Sequence, residues 1–193
     1  MRKDVTGEHG PHMKVSAGFT LVELMVVITI VAMLLALGVP SYRYVTNSNR
    51  VSAEVNALLG DLMFARSEAI KEGATVTVCP IPNPPANPPI CNPGSTEWDH
   101  GWIVTSPAVT PSVLRIQQAF ANATDSFLSN GGQTSITFDR YGFANATPAL
   151  TNAGATIILK TTPATATAWI RCVEIRRGGM IETARYKQDA NCQ

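Results

Sequence analysis

The sequence is poor in charge, in histidine and in the spacings that build catalytic or metal sites. Charged residues fill 15% of the 193 positions, against roughly 25% in an ordinary soluble domain. Fifteen basic residues nearly balance 14 acidic ones, for a formal net charge of +1. A near-neutral body lacks the electrostatic footprint of a general nucleic-acid binder, so any such role has to come from a local patch. His9, His12 and His100 are the three histidines, which leaves little room for imidazole chemistry. Cys79, Cys91, Cys172 and Cys192 form no CxxC pair, and no histidine lies near enough in sequence to complete a zinc spacing. There is no GxSxG elbow, no phosphate-cradling glycine loop and no carboxylate pair with acid–base spacing. Asn130-Gly131-Gly132 is a turn signal without the helix a nucleotide loop needs. The expectation is a protein with no catalytic residues, no metal and no cofactor: not an enzyme.

Hydrophobic residues, by contrast, make up 45% of the chain, and they are unevenly spread. Residues 19–39 read FTLVELMVVITIVAMLLALGV, with Glu23 as the only charge. As a helix this run is about 32 Å long, enough to cross a bilayer core of about 30 Å. A hydrophilic stretch, residues 1–18, precedes it, and Pro40 and a polar segment follow. Three readings compete: a secretory signal cut near Ala36-Leu37-Gly38, a plain single-span anchor, and a leader cut between Gly18 and Phe19. Glu23 decides among them. A carboxylate inside an apolar span costs about 2.5–3.5 kcal/mol on insertion scales unless it has a partner. Only the third reading supplies one, because cleavage exposes an α-amine on Phe19 close to that carboxylate, on the same chain or on a neighbouring subunit.

The run Gly18-Phe19-Thr20-Leu21-Val22-Glu23-Leu24 resembles the class III signal of type IV pilins and type II secretion pseudopilins. The resemblance implies cleavage after Gly18 by a prepilin peptidase and N-methylation of Phe19, which keeps its positive charge. It also implies a register role for Glu23 in filament assembly and a helix kink at Pro40. His9 and His12 then belong to a discarded leader, and His100 alone remains in the mature chain.

Past Pro40 the pattern becomes amphipathic. Val51, Val55, Leu58, Leu62, Ala65 and Ala69 recur at three- and four-residue steps and mark one helical face, with Arg50, Glu54, Asp61 and Glu68 expected off it. Gly73 closes the pattern, with Lys71 near the end where the helix dipole favours a cation. Residues 19–72 thus read as one long helix of roughly 80 Å. The period then changes. Residues 75–79, 102–105, 114–120, 135–139, 156–160 and 169–175 are short runs rich in β-branched residues between turn signals, and predict an antiparallel sheet. The proline-rich stretch over 80–93 reads as a surface loop. The resulting division is a leader (1–18), a transmembrane or filament-core helix (19–40), its amphipathic continuation (41–73) and a β-rich globular domain (74–193).

Residues 98–104 (WDHGWIV) and 136–143 (ITFDRYGF), with a cysteine directly after the first strand, are similar to the GspH/FimT/FimU branch of pilin-like proteins. Trp98 and Trp102 are expected to pack in the core beside a turn at Gly101. The resemblance implies an α+β type IV pilin fold: a long N-terminal helix packed on an antiparallel β-rich domain, in a single-pass protein of the bacterial inner membrane whose C-terminal domain lies in the periplasm. The partners it implies are prepilin peptidase, other major and minor pilins or pseudopilins, and an inner-membrane assembly platform. In an exported domain, four cysteines read as two disulfides. Three connectivities are open, and Cys79–Cys91 with Cys172–Cys192 is favoured because each closes a local loop.

The C-terminal stretch is locally basic through Arg171, Arg176, Arg177, Arg185 and Lys187 against Glu174 and Glu182. Some FimT proteins carry a DNA-binding Gly-Arg-x-Arg motif near this place. Here the matching residues are Gly179-Met180-Ile181-Glu182, in which both arginines are replaced. The expected functions are therefore a minor pilin of the FimT/FimU type that primes assembly at a filament tip, a GspH-like pseudopilin of a type II secretion system, or a pilin that captures double-stranded DNA through Arg176, Arg177, Arg185 and Lys187.

Overall fold

The computed structural model describes residues 18–83, 85–108, 112–120, 125–150, 154–161 and 170–185. The chain divides into two compact units with the boundary between Arg43 and Tyr44. Helix α1 runs Leu21–Glu72 with Pro40 inside it. It starts two residues later than the apolar run suggests, because Thr20 caps it. It ends at Gly73, which takes φ +66, the left-handed C-terminal conformation that glycine adopts without strain.

In the second unit, nine strands follow among the described residues: β1 Val76–Pro80, β2 Gly101–Thr105, β3 Val113–Gln118, β4 Asp125–Ser129, β5 Ser135–Phe138, β6 Ala144–Thr147, β7 Ala155–Thr161, β8 Arg171–Ile175 and β9 Ile181–Arg185. They form a five-stranded sheet in the order β3-β2-β1-β5-β6 and a four-stranded sheet in the order β4-β7-β8-β9. Every neighbouring pair is antiparallel. Six strands lie where β-branched runs predict them. β4 and β6 are additional, and β9 completes a hairpin with β8.

Val51, Val55, Leu58, Leu62, Ala65 and Ala69 are all buried. They share one core with Val76, Val78, Trp102 and Phe138 of the first sheet and Phe127, Ile157, Val173 and Ile175 of the second. Each large member of such a face contributes about 1.5–3 kcal/mol by leaving water. Trp98 and Trp102 are wholly buried, and Trp102 meets Phe120 and Phe127 edge-on at 6.0 and 6.2 Å. Gly101, at φ +97, starts β2, and a Cβ there would run into the Gln117 carbonyl of β3.

Two expectations need correction. Asp61 is not off the apolar stripe but buried on it. It sits three residues after Leu58, and its charge is met by Trp102 Nε1 at 2.9 Å and Arg115 Nη1 at 3.1 Å. Arg115 also lies 3.7 Å over the Phe64 ring. Pro80 belongs to β1, a central strand, rather than to the loop. Its missing N–H is tolerated there, because the β1–β5 pairing stops at Val78, while its carbonyl accepts from the Asn92 amide at 2.8 Å.

Candidate functional site

The first unit carries the residues singled out for processing and assembly. Gly18, Phe19 and Thr20 precede the helix and are exposed. The Glu23 amide donates to Thr20 Oγ1 at 3.2 Å, and the Leu24 amide to the Thr20 carbonyl at 3.2 Å. Thr20 is thus an N-cap, and Thr20-x-x-Glu23 has the spacing of a capping box, a signal legible in the sequence. Glu23 stands in the first turn, where the helix dipole favours an acid. Among the described residues, no cation lies within ion-pair distance of it. The large apolar side chains between Phe19 and Val45 stand in the open, from 45% exposed at Val39 to 79% at Phe19. This helix segment is long and apolar enough to cross a membrane, and none of its most apolar window is buried among the described residues.

In the second unit, Cys79 at the end of β1 is disulfide-bonded to Cys91, with Cα atoms 5.4 Å apart, closing the proline-rich loop. Cys172 on β8 is also disulfide-bonded, while Cys192 lies outside the described residues. Among the described residues, no group of three or more His, Cys, Asp or Glu converges on a metal-sized space.

The β8–β9 hairpin brings the basic residues together only in part. Arg176 Nη2 lies 3.8 Å from Glu174 and 3.6 Å from Glu182, so one cation sits between two acids. The Arg177 guanidinium donates through Nε at 3.1 Å, and also through Nη2, to the Leu150 carbonyl. The Arg185 side chain and Lys187 lie outside the described residues. At the tip of the hairpin, Gly179 has φ +73 and abuts Gly142 of the β5–β6 turn so closely that a Cβ would collide with the Gly142 carbonyl. Beside it opens a groove of about 530 Å³ lined by Met63, Arg66, Ile70 and Met180. Sequence reasoning missed a second cluster, Arg50, Glu54 and Asp125, because Asp125 comes from a strand that carries little β signal.

A long helix with an exposed apolar start and a capped Phe-Thr-x-x-Glu entrance, followed by two antiparallel sheets, defines a subunit of the type IV pilin kind. Comparison with known families agrees. The family described as Type II transport protein GspH matches residues 54–179, and the prokaryotic N-terminal methylation motif matches residues 13–39. The chain belongs to the GspH family of pilin-like proteins. Two fimbrial proteins of Pseudomonas aeruginosa are 36% identical to it over 70 residues, which is 36% of this chain and 45% of theirs. The match therefore spans less than half the length of those relatives. The crystal structure of the type IV minor pilin FimU of Pseudomonas aeruginosa superposes with a TM-score of 0.51 over 79% of this chain and 96% of that one. At 17% identity, that likeness speaks for the fold alone: the type IV pilin fold.

Proposed function

We propose that this protein is a minor pilin of the FimT/FimU type, a structural subunit rather than an enzyme, which takes part in priming a filament at its tip. In this reading prepilin peptidase cuts after Gly18 and methylates the new N-terminus at Phe19. The helix over 19–40 anchors the subunit in the bacterial inner membrane with its C-terminal domain in the periplasm. From there the assembly platform moves it into a filament, where the helix packs against other pilins.

One observation carries the reading: an apolar helical segment that stays exposed among the described residues, with one carboxylate, Glu23, one turn from a cap and without an ion-pair partner among those residues. Lipid or neighbouring helices have to supply the cover, and a methylated amine at Phe19 supplies the counter-charge. Pro40 lacks the amide that would bond the Ala36 carbonyl, a local weak point in the ladder that suits a segment passing from membrane to filament.

The decisive experiment replaces Glu23 with Val and follows the full chain in cells. The expected outcome is normal membrane insertion with loss of the subunit from purified filaments or priming complexes, while mass spectrometry of the wild type finds methyl-Phe19 at the N-terminus. Normal recovery of Glu23→Val in filaments would sink the pairing argument.

The description of the matched family favours a second reading, a GspH-like pseudopilin of a type II secretion system. It keeps the same residues in the same roles and differs in the partners, so a secretion defect on deletion, with piliation intact, would select it. DNA capture has less support, because Arg176 is held between two glutamates and Arg177 by a backbone carbonyl.

A further inference from the structure

Arg50, Glu54 and Asp125 form a charged cluster in the second unit that the assembly reading does not use. Arg50 and Glu54 stand one turn apart on α1, and Asp125 is the first residue of β4, an edge strand of the four-stranded sheet. Arg50 Nε lies 2.7 Å from Asp125 Oδ2, and its Nη2 donates to Oδ1 at 3.0 Å. The Asp125 side chain is wholly buried, and that of Arg50 is 28% exposed.

The arrangement holds two carboxylates against one guanidinium. Among the described residues, Glu54 Oε2 is buried without a hydrogen-bond donor, and Arg50 Nε and Asp125 Oδ2, although 2.7 Å apart, make no bond of proper direction. Ionised carboxylates only accept, so two of them against one guanidinium in a half-dry pocket leave one negative charge unbalanced and the Glu54 oxygen without a donor. A single proton resolves both at once: it cancels the surplus charge and turns one acceptor into a donor to the other.

We infer that Arg50, Glu54 and Asp125 form a proton-operated clamp between α1 and β4, tight when the two carboxylates share one proton and loosened when both are ionised. Glu54 holds the proton. Its pKa is raised to about 7, first by burial, then by the Asp125 charge, with Arg50 opposing and a hydrogen bond to Asp125 adding to the rise. Among the described residues, these two, Arg50 from its own helix and Asp125 from β4, are the charged groups that act on it.

The sign follows from linkage. A carboxyl with a raised folded pKa keeps a proton that the unfolded chain has released, so the folded state gains relative stability at low pH. The clamp contributes fully below pH 4.5, weakens as pH rises through the window from 4.5 to about 7, and is loosest above it.

The test is thermal unfolding of the full chain in detergent, read by tryptophan fluorescence from about pH 5 to about pH 8, for the wild type, Glu54→Gln and Asp125→Asn. Glutamine keeps the shape of a protonated glutamate, so the wild-type midpoint should fall by roughly 3–6 °C relative to Glu54→Gln across that range. Asp125→Asn removes the like charge and should also flatten the pH response, from a lower starting midpoint because the Arg50 pair is gone. Parallel curves for the wild type and Glu54→Gln would overturn the inference. Should either variant fail to fold, carbon NMR of the wild-type Glu54 carboxyl decides alone: a midpoint near 7 upholds the clamp, and one near 4.5 refutes it.

Discussion

Two stretches of the same helix differ in how they are satisfied. Between Leu21 and Val39 the large apolar residues face outward. Between Val51 and Ala69 an apolar stripe is buried, and the polar groups beside it find partners such as Trp102 and Arg115 for Asp61. Backbone hydrogen bonding is common to both. Tertiary packing is what most helices rely on for stability, and the later stretch has it from the sheets of its own unit. The earlier one presents its apolar side chains exposed.

The contrast is sharpest where a core leucine is removed. Leu62→Ala, at a wholly buried site, is expected to destabilise the folded chain by about 2–5 kcal/mol, measured by denaturant unfolding in detergent with the two variants that follow. Trp102→Phe keeps most of the ring volume but removes the donor to Asp61, and should cost about 1–3 kcal/mol for leaving a buried carboxylate under-satisfied. Leu34→Ala sits in the outward-facing stretch at 66% exposure and should leave the unfolding midpoint of the domain unchanged. A marked loss from Leu34→Ala would break the distinction, since it would mean that the apolar stretch is structurally coupled to the domain core.

What was legible in the sequence follows the strength of local periodicity. The helix, its buried face, the Gly73 stop and the β-branched strands could be read directly, since each rests on neighbours three or four residues away or on alternation. β4 (DSFLS) and β6 (ANAT) could not, because short strands with few β-branched residues are stabilised by their partners: β7 for β4, β5 for β6. Asp61 was misplaced for a related reason. The stripe was drawn through apolar residues alone, although the spacing from Leu58 puts position 61 on it, and the groups that satisfy it come from β2 and β3. The Glu54 cluster depends on contact between positions about 70 residues apart, which no helical pattern encodes.

The tip of the β8–β9 hairpin divides its residues by how freely they can change. Gly179 is locked, since its backbone rests against Gly142 with no room for a side chain. Met180 beside it and Glu182 on β9 are exposed. Met180 can therefore change, exchanging an apolar tip for a basic or acidic one, without disturbing the Gly179–Gly142 contact, whereas Glu182 is tied to Arg176 at 3.6 Å. The fold thus offers a changeable surface on a fixed mount.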